Sequence, residues 1–395
     1  MQLINHTEIQ NSSLLQKIYW ILIFGFGFSL NSMRNLASNA SNKIESFQQV
    51  CPPYFQTCSN LSLPATLPES WGNNILYACL GFLVFLSAYF FYKKEFKRSL
   101  LALSIPTIFQ FLVSILFSIH TSIPFEFFHT GLIIVFIFFP NKLDNLRLTF
   151  VVLYFCAGLM KLDSSWIAGA FFSSLELGLP LIPRSLIPFA TNIVIIFELF
   201  FIFFLLGKNS KIRSLTFAFF IVFHLYSIIL VGMRYPYHCL FIFYLLFNDS
   251  EKNTFPTPTK EKRELFFLLY PIVILLFNLI ALGYGESAKI TYKGFHPSLN
   301  MFDANRVCII NFTKTLKNGT SNNYEFIHHD SYQRCNLYEN FYRLKSECNR
   351  NKEIDSIHLT FRAAMNGGPI LKYVNNVNIC QVNFSPYSKD DWIAG

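Results

Sequence analysis

Apolar residues dominate the first two-thirds of the chain in long runs that short polar or charged segments separate. A membrane-spanning helix needs about 20 mostly apolar residues, with a range of about 17–25. The runs predict an all-α polytopic membrane bundle of about nine transmembrane helices, several of them short. The predicted spans are Ile18–Met33, Asn74–Tyr92, Ser99–Ile119, Pro124–Phe139, Leu148–Leu162, Leu186–Leu206, Ser214–Val231, Tyr237–Phe247 and Leu265–Leu282.

Positively charged residues are concentrated in alternate loops, which predicts the orientation of the bundle. Cytoplasmic loops carry an excess of lysine and arginine. The loops after the second, fourth, sixth and eighth spans contain Lys93, Lys94, Lys97, Arg98, Lys142, Arg147, Lys208, Lys211, Arg213, Lys252, Lys260, Lys262 and Arg263. The other loops contain only Arg34, Lys43, Arg184 and Arg234. We therefore expect a cytoplasmic N-terminus (1–17), a transmembrane domain (18–283) and an extracytoplasmic C-terminal domain (284–395), facing the periplasm, the cell exterior or a lumen.

The cysteines agree with this orientation, because disulfides form in oxidising compartments. Cys51 and Cys58 fall in the first outer loop and are expected to pair with each other. The remaining cysteines of the outer side lie in the tail, where sequence alone leaves three pairings open. These tail cysteines are Cys308, Cys335, Cys348 and Cys380.

The C-terminal segment has the pattern of a small, mixed α/β domain braced by disulfides. Strand-like runs occur at Glu325–His328, Ser356–Phe361 and Leu371–Val382, and a helix is expected near Tyr338–Cys348. Asn318-Gly319 and Gly367-Gly368-Pro369 are turn signals.

Composition supports an integral membrane protein in contact with lipid. Only 14% of the 395 residues are charged and 52% are apolar, whereas soluble domains carry about 25% charged residues. The net charge of +9 follows from the cytoplasmic loops, and the sequence contains no basic stripe or nucleic-acid motif, so no nucleic-acid partner is expected. It also lacks a nucleotide-binding loop, a zinc-protease helix and a serine-hydrolase elbow, and no metal site is predicted.

The segment Tyr154–Gly169 contains the main candidates for chemistry. It places Lys161, Asp163 and Trp166 at the outer end of the fifth span. A charged group near hydrocarbon is costly, which makes it a candidate functional residue. Burial disfavours the ammonium form, so Lys161 can act as a general base. His129, at the outer start of the fourth span, is its candidate partner. Snorkelling of Lys161 to the interface and a purely structural histidine are the alternatives, and pairing with Asp163 would argue against a base.

Further polar residues in the apolar spans are candidates for substrate binding or for support. Glu198 and His224 are a candidate interhelical pair. Tyr226 lies two positions after His224 on the same span. Arg234 lies just outside the seventh span and is suited to an anionic group. Structural bracing and interfacial anchoring are the alternatives.

The segment from Tyr154 to Gly169 resembles the pattern Tyr-Phe-x-Ala-Gly-x-x-Lys-Leu-Asp-x-x-Trp-x-x-Gly of the vitamin K-dependent gamma-glutamyl carboxylases. These enzymes belong to the superfamily of horizontally transferred transmembrane (HTTM) domains. Glu198 and the Phe223-His224 pair are similar to further features of that domain. The resemblance spans roughly Ile18–Leu282 and is strong only in Tyr154–Gly169.

The resemblance implies a fold and a chemistry. Lys161 occupies the position of the base that deprotonates reduced vitamin K or a menaquinol on the luminal side, and His129 that of its assistant. Oxygen then adds to the quinone anion, and the strong base so formed removes a proton from a glutamate γ-carbon that takes up carbon dioxide. The tail here is far shorter than the carboxylases' substrate-gripping region, so the core supports the fold more than the reaction.

Three functions therefore stay open. The first is a membrane enzyme with a quinol-linked extracytoplasmic site and a peptide or protein substrate. The second is a non-enzymatic membrane protein whose tail binds a partner or helps to mature or export it. The third, a transporter, is less favoured because paired interrupted helices are not evident.

Overall fold

The computed structural model describes residues 6–43, 69–116, 124–176, 178–231, 234–248, 269–283, 288–291, 306–330, 337–385 and 390–394. The chain divides into two compact units. The first comprises residues 1–43, 63–159 and 194–276, and the second comprises residues 44–62, 160–193 and 277–395. The fold is mostly helical, with one small antiparallel sheet in the second unit.

The longer helices up to residue 291 overlap the predicted apolar spans, although their ends differ by several residues. The helices of this region are α1 (Thr7–Gln10), α2 (Ser13–Lys43), α3 (Glu69–Tyr92), α4 (Phe96–Leu116), α5 (Pro124–Phe138), α6 (Lys142–Leu159), α7 (Ser164–Ile167), α8 (Ala170–Ser173), α9 (Ile187–Leu199), α10 (Ser210–Val231), α11 (Arg234–Phe247), α12 (Leu269–Gly283) and α13 (Ala288–Thr291). The four-residue helices α1, α7, α8 and α13 lie outside the predicted spans.

The structure does not support nine transmembrane helices. Within the described residues, three segments are long and apolar enough to cross a membrane: Ser13–Leu30, Ile75–Tyr92 and Ser210–Leu230. Two shorter apolar helices, Phe128–Phe138 and Tyr270–Gly283, fall below a spanning length. Membrane association is therefore indicated by these apolar helices.

The predicted sixth span, Leu186–Leu206, is not one helix. It consists of α9, with 13 residues, followed by a 3-10 helix over Phe201–Leu206. At 1.5 Å per residue α9 is about 20 Å long, which is shorter than the hydrocarbon core of about 30 Å. Two aromatic rings stack across the break: the ring centres of Phe197 and Phe201 lie 4.5 Å apart. Periodicity alone could not detect this change, since every residue from Leu199 to Leu206 is apolar or aromatic.

Buried hydroxyl groups tie α2, α3 and α4 together in the first unit. Tyr19 Oη lies 3.1 Å from Ser87 Oγ and 3.0 Å from Ser99 Oγ, and Ser99 Oγ donates to the Ser87 carbonyl at 2.7 Å. The ring of Tyr19 also stacks on Phe136 of α5 at 5.0 Å. Hydrogen bonds of this kind give apolar helices a defined register, which apolar packing alone specifies weakly.

The corner between α5 and α6 is closed by charged groups. The Glu8 carboxylate accepts hydrogen bonds from the backbone N–H groups of Asn141 and Lys142, at 3.0 and 2.8 Å. It thereby caps the positive end of α6. The buried Lys142 ammonium donates to the carbonyls of Phe136 and Phe139, near the end of α5.

The tail in the second unit is a four-stranded antiparallel sheet with one helix. Its strands are β1 (Arg306–Leu316), β2 (Ser321–Asp330), β3 (Ile354–Met365) and β4 (Leu371–Asn378), in the order β2-β1-β3-β4. The helix α14 (Leu337–Arg350) packs on β3. The predicted strands and helix are confirmed within β2, β3, β4 and α14, except that the last strand ends at Asn378. β1, one of the two inner strands, was missed, although its buried and half-buried residues alternate.

One disulfide joins α14 to the segment after β4. Cys348 and Cys380 have Cα atoms 5.6 Å apart, which resolves part of the pairing that sequence left open. Cys308, buried in β1, is also disulfide-bonded, and the other cysteine of that bond lies outside the described residues. Cys51, Cys58 and Cys335 lie outside them as well, so the expected Cys51–Cys58 pair stays a prediction.

Candidate functional site

The segment that carries the sequence motif changes direction twice within a few residues. Helix α6 ends at Leu159, and Asp163 then begins the short helix α7 as its N-cap, with its carboxylate accepting the Trp166 backbone N–H at 3.0 Å. Gly169 follows α7 in the left-handed conformation at φ 63°. Asp163 therefore has a clear structural role, which holds Trp166 in place.

Lys161 lies in the turn between α6 and α7 and is buried, with 5% of its surface exposed. Its Nζ lies 5.5 Å from the centre of the Trp166 ring. An aromatic face attracts an ammonium group, most strongly where water is excluded. The ring face therefore stabilises a positive charge at this position.

Trp166 is enclosed on several sides. It is 4% exposed, and its ring meets the Phe172 ring edge-on at 5.3 Å. Its indole Nε1 is buried and has no hydrogen-bond partner among the described residues. Buried N–H groups are paired in the great majority of structures, so an exception calls for an explanation.

Close packing against the start of α9 fixes the far side of this turn. A Cβ atom on Gly169 would lie 2.8 Å from Ile187 Cγ2 and 3.0 Å from the Pro188 nitrogen. The Asn192 side chain donates to the Ile167 carbonyl at 2.7 Å and so satisfies the end of α7. Glycine is therefore required by both its backbone conformation and the space available.

His224 and Tyr154 form a second polar contact, in the first unit. Tyr154 Oη and His224 Nε2 are hydrogen-bonded, and both side chains are buried. The rings of Phe150, Phe220 and Phe243 surround them. Sequence reasoning assigned no role to Tyr154, and the signal that could have identified it is a phenol within an apolar span, which requires a partner.

The remaining candidates on the spans are placed as follows. Glu198 on α9 is buried. A Cβ atom added to Gly158 of α6 would lie 2.9 Å from the Glu198 Cβ, so these two helices pack closely. Tyr226 on α10 is half-buried. Arg234 is the first residue of α11, and its side chain lies outside the described part. The predicted Glu198–His224 pair stays a prediction.

His129 is fully buried in α5. Its Nε2 lies 3.0 Å from the Leu22 carbonyl oxygen, which can only accept a hydrogen bond, so Nε2 carries a proton. Nδ1 is then the basic nitrogen of the neutral ring. His129 belongs to the first unit and Lys161 to the second, and their predicted pairing stays a prediction.

No group of three or more His, Cys, Asp or Glu residues suited to a metal ion occurs in the described part of the chain. The described chemistry consists instead of one buried amine on an indole ring, and of a phenol–imidazole pair among aromatic rings. Such groups bind and move protons on organic molecules.

Comparison of the chain with protein-family models, with characterised proteins and with solved structures finds no match in any of the three.

Proposed function

We propose that the chain is a multi-pass membrane protein of the HTTM type with a quinol-linked site on its extracytoplasmic side. The observation that carries the proposal is the burial of Lys161 against Trp166, within the segment that resembles the gamma-glutamyl carboxylases. Burial of a lysine amine is costly, so a buried lysine on an indole face is a candidate functional residue.

The site has the parts required to remove a proton from a weak organic acid. Lys161 is the proposed acceptor of the proton of a quinol hydroxyl, and the Trp166 ring stabilises the resulting ammonium. Asp163 fixes the geometry through the N-cap of α7. His129 stays the predicted partner of Lys161. In a carboxylase-type reaction, oxygen and carbon dioxide are then the further reactants.

Activity of the purified protein tests this function. Membrane protein in detergent is mixed with reduced menaquinone or vitamin K and oxygen, and the quinone epoxide is quantified. We expect epoxide from the wild type and loss of at least about 100-fold in Lys161→Ala, because general bases contribute 10²–10⁴-fold. The exposed Lys211→Ala is the matched control and should retain full activity. Absence of epoxide from the wild type would refute the carboxylase-type reading.

We also propose that the N-terminus is cytoplasmic and the tail extracytoplasmic, following the distribution of lysine and arginine. An odd number of crossings places the ends of the chain on opposite sides of a membrane. Single engineered cysteines at Lys94 and Lys372, probed with a membrane-impermeant maleimide on sealed cells, test this topology. Labelling at Lys372 and protection at Lys94 are expected, and the reverse pattern would overturn it.

A second function is favoured by one observation in the tail. Strand β2 exposes the apolar side chains of Tyr324, Phe326 and Ile327, by 39%, 39% and 65%, at one end of the sheet. Exposed apolar groups on an edge strand suit a protein partner that adds a strand. A photo-crosslinking residue at Ile327 should then capture a partner in wild type and in Lys161→Ala alike, and one at Lys372 should not.

A further inference from the structure

The Trp166 indole offers two different surfaces to its surroundings. Its face carries the Lys161 amine at 5.5 Å from the ring centre, and its edge carries the Nε1–H group. That group is buried and lacks a hydrogen-bond partner among the described residues. The face favours a cation and the edge N–H favours an anion.

Proton transfer from an acidic hydroxyl to Lys161 creates both of these charges. The proton moves from the hydroxyl oxygen to Nζ, the oxygen keeps the electron pair of the broken O–H bond, and no oxidant or reductant is needed. The ammonium then lies on the ring face. The anionic oxygen requires a donor, and hydrogen bonds to charged groups are about twice as strong as neutral ones.

We infer that Trp166 Nε1–H is the hydrogen-bond donor to the anionic oxygen of the quinol that Lys161 deprotonates. The inference rests on the proposed function and assigns Trp166 a direct contact with the ligand. It explains why this buried donor has no acceptor in the part of the chain that the structure describes. A purely structural tryptophan would use its N–H on a protein carbonyl, as Trp392 does on Asn383 O at 3.1 Å.

The surrounding geometry is suited to holding this donor still. The backbone of Trp166 is anchored by the Asp163 carboxylate at 3.0 Å, and its ring is packed edge-on against Phe172. Gly169 brings the start of α9 to within contact distance of the same turn. A donor fixed in advance loses little entropy when the charge develops, which is the condition for effective electrostatic stabilisation.

The test removes the N–H and keeps an aromatic ring. Wild type and Trp166→Phe are titrated anaerobically with 2-methyl-1,4-naphthoquinol in detergent, and the ultraviolet spectrum of the bound quinol is followed against pH. We expect binding of the quinol anion to weaken roughly tenfold or more in Trp166→Phe, and the apparent pKa of the bound quinol to rise by roughly one. Trp20→Phe, on α2, is the matched control and should change neither value.

The outcomes separate this inference from the proposed function. If the wild type binds the quinol and Trp166→Phe binds it equally with the same titration, the role of Trp166 is refuted while the quinol site stands. If the wild type does not bind the quinol, the proposed function fails and the inference fails with it. Should Trp166→Phe not fold, benzothienylalanine at position 166 preserves the ring shape without the N–H and allows the same comparison.

Discussion

At the scale of single residues, a few buried polar atoms do work that the many apolar residues cannot. Phe is present 47 times, so many helix contacts are between similar rings, and similar rings pack in several registers. Tyr19, Ser87 and Ser99 form a network of directional contacts in this background. Tyr154 and His224 do the same on α6 and α10.

Replacing Tyr19 by Phe tests the first network. The change keeps the ring and removes the hydroxyl, which leaves Ser87 and Ser99 with fewer partners. We expect a loss of about 0.6–1.7 kcal/mol, the range for hydrogen bonds between helices in membranes. The measurement is the unfolding midpoint in mixed detergent and SDS. Tyr89→Phe, at an exposed tyrosine, should be neutral, and an equal loss in both variants would contradict the role of the network.

Prediction at this scale depends on chemical type. Lys161 is a candidate because a charge near an apolar run is unusual, and the structure places its amine on the ring of Trp166. The contact between Tyr154 and His224 could not be anticipated, because the two residues are separated by 70 positions. Sequence shows which residues need partners and leaves open which residues meet.

At the scale of elements, the turn that joins α6 to α9 is the most constrained part of the candidate site. It contains two four-residue helices, α7 and α8. Helices this short are not stable alone, because they form too few internal hydrogen bonds to offset the cost of nucleation. Its shape depends on the Asp163 cap, on Gly169 and on the contact with Ile187.

Gly169→Ala tests that dependence. The substitution forces a Cβ into a left-handed residue, which costs about 1–2 kcal/mol, and into contact with Ile187 and Pro188. We expect a lower thermal unfolding midpoint together with weaker quinol binding. Gly81→Ala on α3, where nothing lies within 4 Å, should preserve both. Unchanged stability of Gly169→Ala would show that the turn is not constrained as described.

Two elements show why patterns fail at this scale. β1 was missed because its alternating run Arg306–Leu316 contains five polar or charged residues of the kind expected in a loop, among them Asn311 and Thr313. The break after α9 was missed because aromatic residues suit both an α-helix and a tighter turn of helix. In both cases contacts with neighbouring elements decide the local structure.

At the scale of the whole molecule, the disulfide between Cys348 and Cys380 spans 32 positions and closes the tail around α14, β3 and β4. In the chain-entropy model, a disulfide that closes a loop of this length stabilises the folded state by about 3–4 kcal/mol.

Replacing both cysteines, in the double variant Cys348→Ser and Cys380→Ser, should lower the free energy of opening at the β3 and β4 amides by about 3–4 kcal/mol. Hydrogen exchange of these amides measures it directly. Cys79→Ser, at an exposed free cysteine, is the control and should leave exchange unchanged. Identical protection in the double variant would mean that packing alone holds the tail.

Lys345 predicts a pH dependence for the same tail. Its Nζ donates to the carbonyls of Cys380 and Val382, each at 2.8 Å, and burial lowers its pKa below the ordinary value of 10.5. The folded chain therefore binds fewer protons than the unfolded chain between the lowered pKa and 10.5. The contribution of Lys345 to stability rises with pH across this interval and is constant below it.

The comparison of wild type with Lys345→Met measures this effect. Urea unfolding is followed through Trp392 fluorescence, with the other tryptophans replaced by phenylalanine. We expect Lys345→Met to be less stable by about 1 kcal/mol at neutral pH, because two carbonyls lose their donor. The gap should widen as pH rises toward 10.5. Lys352→Met, at an exposed lysine, should show no pH-dependent gap, and a narrowing gap would contradict the lowered pKa.

The cap that Glu8 provides for α6 has a consequence for biosynthesis. Glu8 emerges from the ribosome 133 residues before Asn141, whose backbone N–H donates to the Glu8 carboxylate. At about 5–20 residues per second, the carboxylate waits roughly 7–27 s for that N–H group. The N-terminal cap of α6 therefore forms only when the earlier-synthesised Glu8 returns to it. A bulky fusion placed ahead of Glu8 would interfere with this late step of assembly.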